Sequence, residues 1–108
     1  MAELDPDRPG ELVIDTELKP AGEILLTLSG ELDLSTVGAL EATIASITAK
    51  DPERLIFDLS GLRFMDSAGI AVLVDTARKL PVQLRDPSPI IRRVVELTGL
   101  SDVLPIQS

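Results

Sequence analysis

The order of strands and helices is best worked out from the stretch Leu55-Ile56-Phe57-Asp58-Leu59-Ser60-Gly61-Leu62-Arg63-Phe64-Met65-Asp66-Ser67-Ala68-Gly69. Its first residues, 55–59, are too apolar for a strand with one face in water, which predicts a central, parallel strand. Ser60 and Gly61 predict that the chain turns there. From 66 to 80 the chain carries Ile70, Leu73 and Ala77 on one helical face, and Asp66 or Ser67 can cap its start. The stretch therefore predicts a strand followed by a helix.

The chain before this stretch predicts a hairpin and a first helix. Residues 12–18 alternate apolar and polar side chains, 19–22 have turn chemistry, and 23–28 contain an apolar run of strand length. The apolar period then changes to about 3.6 residues. Ser35 is the predicted N-cap of this helix. Its predicted inward face consists of Val37, Leu40, Ile44 and Ile47.

The chain after the stretch predicts a short strand and a third helix. Residues 82–84 form the strand, and Ser88-Pro89 places an N-cap before a proline at the first helical position. Gly99 supplies a left-handed stop, and residues 102–106 are expected to form a half-turn and an extended end. The predicted inward face of this helix consists of Ile91, Val94, Val95 and Thr98.

Strands and helices that alternate after an opening hairpin predict the α/β fold class. We expect a single domain over residues 11–106, with a mixed β-sheet of four to five strands and helices mostly packed on one face. Residues 1–10 are acidic and proline-rich and are interpreted as a flexible N-terminal tail. A ferredoxin-like α+β sandwich is the alternative, which differs mainly in how the hairpin is inserted.

The composition of the chain of 108 residues excludes several kinds of function. It has no cysteine and no histidine, which removes disulfides, thiolate nucleophiles, the usual zinc sites and histidine general bases. The net charge is -8 and aromatic residues make up 2%, so binding to nucleic acid is disfavoured. No apolar stretch is long enough to span a membrane, and no secretory signal follows Met1. We expect a cytoplasmic protein that is not an enzyme and does not insert into membranes.

Four polar residues are candidates for chemistry. Asp33, Asp58 and Asp66 each lie at a predicted strand end or helix start and could converge on one side of the sheet. Aspartate is common at such places as a cap or turn residue, and that reading competes with acid–base catalysis. Ser67 has no histidine to activate it as a nucleophile. It is either a helix cap or an acceptor of phosphate at a helix start, where free N–H groups tolerate an anion.

Several short blocks, in this order and with these spacings, resemble the anti-sigma factor antagonist (STAS domain) family. The blocks are LSGELD at 28–33, LIFDLSGL at 55–62, FMDSAG at 64–69, DPSP at 86–89 and LTGL at 97–100. The resemblance covers residues 11–106.

The resemblance implies a partner switch controlled by phosphorylation. In such a switch the unphosphorylated antagonist binds a serine kinase that doubles as an anti-sigma factor, and so releases a sigma factor. The family's acceptor serine falls on Ser67, Asp66 orients the loop, Gly69 permits close approach of the kinase, and Asp33 with Glu31 comes from the neighbouring loop on the same face. ATP belongs to the kinase, so no cofactor is expected, and the protein is expected to be a monomer or weak dimer. The implied partner-binding residues are Glu31, Asp33, Asp66, Ser67, Ala68, Gly69 and Val72.

The chain departs from the family pattern in three places. Ala68 stands where a second serine is common, and Asp86 stands where asparagine is usual. Residues 77–82 lack the longer helix end and Gly-Gly turn of other members. The apolar run 70–74 cannot all face the sheet, so residues such as Ala71 and Val72 are covered either by other helices or by a partner.

Two other functions stay open at this point. One is a non-catalytic STAS subunit of a membrane lipid-transport ATPase, in which the apolar second helix contacts the ATPase and Ser67 is only a cap. The other is a small-ligand sensor, which needs a pocket that this composition makes hard to build.

Overall fold

The computed structural model describes residues 10–100 and 102–107, and the predicted tail at 1–10 lies outside the described residues except for Gly10. The chain forms five strands and three α-helices in alternation after an opening hairpin. The strands are β1 (Leu12–Leu18), β2 (Glu23–Leu32), β3 (Arg54–Met65), β4 (Val82–Arg85) and β5 (Ile106–Gln107). The helices are α1 (Val37–Thr48), α2 (Ser67–Ala77) and α3 (Pro89–Leu97).

The strands form one mixed sheet in the order β1-β2-β3-β4-β5. β1 pairs antiparallel with β2, and the pairs β2–β3, β3–β4 and β4–β5 are parallel. Each parallel connection runs through one helix, as a strand–helix–strand unit requires. The predicted α/β class, the mixed sheet and the hairpin are therefore confirmed.

The core lies between one face of the sheet and the three helices. β2 alternates between buried and half-buried residues along its whole length, which gives the strand one core face. The buried apolar residues of the three helices belong to the same cluster as those of the strands. They are Val37, Leu40, Ile44, Ile47, Ile70, Val72, Leu73, Ile91 and Val95. The prediction of helices mostly on one face is confirmed.

The predicted turn at Ser60-Gly61 is wrong, because both residues lie inside β3. The pairing of β2 with β3 shifts register between Thr27 and Ser29 and again between Gly30 and Glu31. Such bulges absorb extra residues without ending a strand. A Cβ at Gly61 would lie 2.6 Å from the Ser29 hydroxyl oxygen, so a glycine lets the strands stay paired here. As a result β2 and β3 run on to end side by side.

The predicted cap of α1 is also wrong. The helix begins after Thr36, not after Ser35, and the Thr36 side chain makes no capping hydrogen bond. Instead the Asp33 carboxylate accepts hydrogen bonds from the backbone N–H groups of Ser35 and Thr36. The aspartate organises the helix start from three residues upstream, a local bond that aspartate favours.

The end of α2 falls earlier than predicted. The helix ends at Ala77, and the N–H groups of Lys79 and Leu80 form turn hydrogen bonds to the carbonyl of Thr76. Val72 is buried, and Ala71 is exposed. Because α1 packs beside α2, the apolar run is covered by the protein itself at Val72 and open to solvent at Ala71.

The predictions for α3 hold at both of its ends. Ser88 is the N-cap, its hydroxyl accepts the N–H of Ile91, and Pro89 is the first helical residue. Gly99 has a φ of 73°, the left-handed conformation predicted for it. Thr98 is exposed, so its assignment to the inward face is wrong. Asp86 has a φ of 51°, a region in which asparagine and aspartate are enriched.

Candidate functional site

The candidate site forms where β2 and β3 end next to one another. Leu32 and Met65, the last residues of these strands, are paired in the sheet. The next backbone N–H, that of Asp66, donates to the carbonyl oxygen of Leu32 at 3.2 Å. The loop that leads into α1 and the first turn of α2 therefore leave the sheet at the same point.

Asp66 connects the two segments, because both oxygens of its carboxylate accept hydrogen bonds. Oδ1 accepts the backbone N–H groups of Ala68 at 2.9 Å and Gly69 at 3.2 Å, which makes Asp66 the N-cap of α2. Oδ2 accepts the N–H of Leu34 at 3.3 Å, from the loop after β2. One side chain thus fixes the start of α2 and the neighbouring loop relative to each other.

Ser67 is the first residue of α2, and its side chain is exposed. The structure therefore excludes it as the N-cap, a role that Asp66 fills. The N–H groups of Ala68 and Gly69, expected to be free for an anion, already donate to Asp66. An anion on Ser67 would have to compete with that carboxylate or remain in solvent.

The two residues after Ser67 differ in their surroundings. Ala68 is half-buried. Gly69 is buried, and a Cβ there would lie 2.8 Å from the Cγ atoms of both Leu32 and Met65. The missing side chain of Gly69 lets α2 pack closely on the ends of β2 and β3, which is a packing role inside the protein.

Asp33 organises the loop after β2. Its Oδ1 accepts the hydroxyl of Ser35 at 2.7 Å and the backbone N–H of Ser35 at 2.9 Å. Thr36 donates its hydroxyl to the carbonyl oxygen of Glu31 at 2.9 Å. The hydrogen bond from the Ser35 hydroxyl is the main cause that lowers the pKa of Asp33 below its ordinary value, and the Ser35 and Thr36 N–H groups add to it. These hydrogen bonds favour the charged form of the carboxylate and fix its position in the loop.

Glu31 lies within β2, so the expectation that it comes from the neighbouring loop is wrong. It pairs with Phe64 across β2 and β3, and its carboxylate lies 3.7 Å from the guanidinium of Arg63. Because residues 30 and 32 face the core, the half-buried Glu31 lies on the opposite face of the sheet. It borders the site from that side.

Two of the residues singled out from the sequence lie apart from this site. Asp58 sits inside β3, paired with Thr27 and Arg85, so only Asp33 and Asp66 of the three aspartates converge. Val72 is 9% exposed and lines a groove of about 470 Å³ between α1 and α2, with Ile44 among its other lining residues. It is not part of the exposed surface around Ser67.

Sequence reasoning missed two exposed apolar side chains beside the site. Leu34 is 79% exposed, and Phe64 is 47% exposed. No sequence signal marks Leu34 as exposed, because it lies two residues after Leu32 and three before Val37, spacings that fit a buried position in a strand or a helix. Within the described residues no cluster of acidic side chains could hold a metal ion, and no helix there is long and apolar enough to cross a membrane.

Comparison with known proteins identifies relatives over most of the chain. The family model for the STAS domain matches residues 14–108. The anti-sigma-F factor antagonist RsfB of Mycobacterium tuberculosis is 34% identical over 83 residues, which cover 73% of this chain and 68% of that protein.

Solved structures show the same fold. An anti-sigma factor antagonist from Mycobacterium paratuberculosis superposes with a TM-score of 0.84 at 32% identity, covering 92% of this chain and 87% of that one. The anti-sigma factor antagonist SpoIIAA, solved in its unphosphorylated form, gives a TM-score of 0.77 at 25% identity over 89% of each chain. The phosphorylated form of SpoIIAA from Bacillus gives 0.70 at 25% identity, covering 89% of this chain and 92% of that one.

Proposed function

This chain belongs to the STAS domain family, and from that premise we propose that it is an anti-sigma factor antagonist switched by phosphorylation of Ser67. The unphosphorylated protein binds an anti-sigma serine kinase in the cytoplasm and so releases a sigma factor for transcription. The protein acts by binding and is not itself an enzyme. The observation that carries this proposal is the exposed Ser67 hydroxyl at the start of α2, beside a carboxylate that fixes the surrounding backbone.

The proposed role of Ser67 as acceptor follows from what phosphoryl transfer requires. The serine oxygen attacks the γ-phosphorus of the ATP held by the kinase, and a new O–P bond forms. The bond from the γ-phosphorus to the bridging oxygen breaks, ADP leaves, and the hydroxyl proton passes to a base on the kinase. Such catalysis is mainly positioning and charge stabilisation. A serine on the first turn of a helix meets the requirement for positioning, because its backbone is fixed while its hydroxyl is open to a partner.

The phosphorylated serine is expected to lose affinity for the kinase. Phosphate adds a charge of about -1.5 to -2, and it would occupy the space that the γ-phosphate of a new ATP needs. The Asp66 carboxylate is already next to this space, and it accepts the N–H groups of Ala68 and Gly69, which are therefore not free for the phosphate. A loss of about 3 kcal/mol from these repulsions would weaken binding more than a hundredfold.

The transport-subunit alternative is not favoured. The relatives reported above are named as anti-sigma factor antagonists, and the second helix, which would contact the ATPase, has its apolar residues Ile70, Val72 and Leu73 buried inside the protein. SpoIIAA, solved with and without phosphate, is a relative in which the modification itself has been seen. These observations support the switch.

The test is a comparison of Ser67 variants against the kinase. Affinity capture with the wild-type protein, followed by purification of the kinase it retains, supplies the partner. Titration calorimetry in the presence of ADP is then run for wild type, Ser67→Ala, Ser67→Glu and Ser46→Ala, an exposed serine of α1 that serves as the matched control. Each protein is also incubated with ATP and magnesium and analysed by mass spectrometry.

The expected result separates Ser67 from the control. Wild type and Ser46→Ala bind and take one phosphate, Ser67→Ala binds and takes none, and Ser67→Glu binds at least about a hundredfold more weakly. Equal affinity of Ser67→Glu and wild type, with no phosphate on wild type, would contradict the proposal and leave Ser67 a structural residue.

A further inference from the structure

Leu34 is the most exposed large hydrophobic residue among the described residues, at 79%. A leucine in water contributes nothing to the core, and isolated exposed leucines are common on protein surfaces. Exposure alone therefore does not assign it a function. The position of Leu34 does point to a function, because two independent sets of hydrogen bonds fix its backbone beside Ser67.

The first set is a hydrogen bond to Asp66, the residue before Ser67. The N–H of Leu34 donates to Oδ2 of Asp66 at 3.3 Å, while Oδ1 of the same carboxylate caps α2. A surface that covers the Ser67 hydroxyl closely enough for phosphoryl transfer must also cover the residues bonded to this carboxylate. Leu34 is the one of them with a large, exposed apolar side chain.

The second set of bonds fixes the loop on either side of Leu34. Asp33 accepts from the Ser35 and Thr36 N–H groups, and the Thr36 hydroxyl donates to the carbonyl of Glu31. Because this backbone is already ordered, its ordering costs little when a partner binds. An apolar side chain on an ordered backbone gains the free energy of burial against a partner and loses little of it to ordering.

We propose that Leu34 is an apolar anchor that inserts into an apolar pocket of the anti-sigma kinase, beside its ATP site, and so brings Ser67 to the γ-phosphate. This inference rests on the proposed function and adds the residue that holds the partner.

The charges near Leu34 indicate what kind of pocket would accept it. Asp33 precedes Leu34 in the chain and Asp66 accepts its N–H, so the rim of the pocket is free of carboxylates, which would be repelled by them.

The test uses the same substitution at three leucines of similar exposure. Leu34→Ser removes the proposed anchor. Leu97→Ser, on the last residue of α3, and Leu18→Ser, on the last residue of β1, remove leucines that are 73% and 70% exposed. Leu18 pairs with Ile24, at the opposite end of β2 from the site. Leu34→Met keeps an apolar side chain of similar size.

The measurements are the dissociation constant of each variant with the purified kinase and ADP, the KM and kcat for phosphorylation of Ser67, and the thermal midpoint. Loss of one buried leucine side chain corresponds to about ten- to a hundredfold in affinity. We expect Leu34→Ser to raise both the dissociation constant and KM by this factor. Leu34→Met stays within about threefold of wild type and the two control variants within about twofold, which is below 1 kcal/mol. All thermal midpoints stay close to that of wild type, because all three leucines are exposed.

Three outcomes overturn the inference, and they are distinguishable. If Leu34→Ser binds as tightly as Leu97→Ser while wild type binds and is phosphorylated, the anchor is wrong and the proposed function stands. If wild type neither binds the kinase nor takes phosphate, the proposed function fails and the anchor fails with it. If Leu34→Ser melts well below wild type, the affinities of Leu34→Met and Leu34→Thr for the kinase are compared instead. Equal affinity of these two variants contradicts the anchor.

Discussion

The carboxylate of Asp66 and the backbone N–H of Leu34 are joined by a hydrogen bond of 3.3 Å between residues that are 32 positions apart in the chain. Asp66 follows β3, and Leu34 follows β2, its parallel neighbour in the sheet. The bond therefore ties together the two loops that leave adjacent strand ends. Since the same carboxylate caps α2, the cap, the acceptor serine proposed above and the exposed leucine form one rigid unit.

We expect Asp66→Ala to lower the free energy of unfolding by about 1 kcal/mol or more, because loss of an N-cap alone costs about that much. The bond to Leu34 adds to the loss. Urea denaturation measures it, and Asp102→Ala, at an exposed aspartate after α3, is the control. Asp66→Asn retains an acceptor for the helix N–H groups and should fall between Asp66→Ala and wild type. Equal midpoints for Asp66→Ala and Asp102→Ala would contradict the bridging role.

The charge of Asp33 makes part of the stability depend on pH. The Ser35 hydroxyl lowers the pKa of Asp33 below its ordinary value of 3.8, so the unfolded chain takes up a proton at a higher pH than the folded one. The stabilisation is complete above the ordinary value and is lost as the pH falls through the lower pKa of the folded state. Asp33→Asn should therefore melt below wild type at neutral pH, and the difference should narrow below pH 3.8. Thermal melts across this range check it, with Asp102→Asn as the control for removing a surface charge.

The parts of the fold that were predictable from the sequence are those fixed by local chemistry. Ser88 and Pro89 specify the start of α3, and Gly99 supplies the positive φ that follows it. Asp66 was one of two residues expected to cap α2, and its side chain does so. In each case the bond or the dihedral angle involves residues within a few positions of each other, which a sequence pattern can encode.

The parts that could not be predicted depend on partners distant in the chain. Ser60 and Gly61 have turn chemistry, yet pairing with β2 and the bulge beside Ser29 keep them in a strand. The cap of α1 is a local exception, because Ser35 and Asp33 both have cap chemistry and the bonds at the helix start go to Asp33, two residues earlier. The link between Leu34 and the start of α2 was not predicted. It rests on a hydrogen bond to Asp66, 32 positions away, that no local pattern shows.

Gly69 tests how closely α2 packs on the strand ends. A Cβ at this position would lie 2.8 Å from Cγ of Leu32 and Cγ of Met65, both in buried residues. Gly69→Ala should lower the free energy of unfolding by about 1–3 kcal/mol, the usual cost of overfilling a core. Gly38→Ala in α1, where a Cβ has open space, is the control in chemical denaturation. A Gly69→Ala protein as stable as wild type would show that the helix can shift to accept the methyl group.

Two glycines with open space around them differ in backbone conformation, which isolates the effect of φ. No atom lies within 4 Å of a Cβ built at Gly38 or at Gly99, but Gly99 has a φ of 73°. Gly38→Ala should stabilise the protein by about 0.4–1 kcal/mol by restricting the unfolded chain. Gly99→Ala should destabilise it by about 1 kcal/mol, and Gly99→Val by more, because a β-branched residue is strongly disfavoured there. If Gly38→Ala and Gly99→Ala change the free energy of unfolding in the same direction in urea denaturation, the left-handed stop after α3 is ruled out.

A negative charge at residue 67 should loosen the loop at Leu34 without unfolding the domain. The side chain of Ser67 is exposed, so the charge of Ser67→Glu stays hydrated and should change the free energy of unfolding by less than about 0.5 kcal/mol. It stands next to Asp66, however, and the two carboxylates repel each other. The Asp66 oxygen that caps α2 accepts two N–H groups, whereas the other accepts only the longer bond from Leu34, so the bond to Leu34 should weaken first. Native-state hydrogen exchange should then show a faster rate at the Leu34 amide in Ser67→Glu than in Ser67→Gln, which has the same shape without the charge. The amide of Leu26, in the middle of β2 and fully buried, should exchange equally in both variants. If the Leu34 rates are also equal, the charge acts only at the partner surface, and the loop does not respond to it.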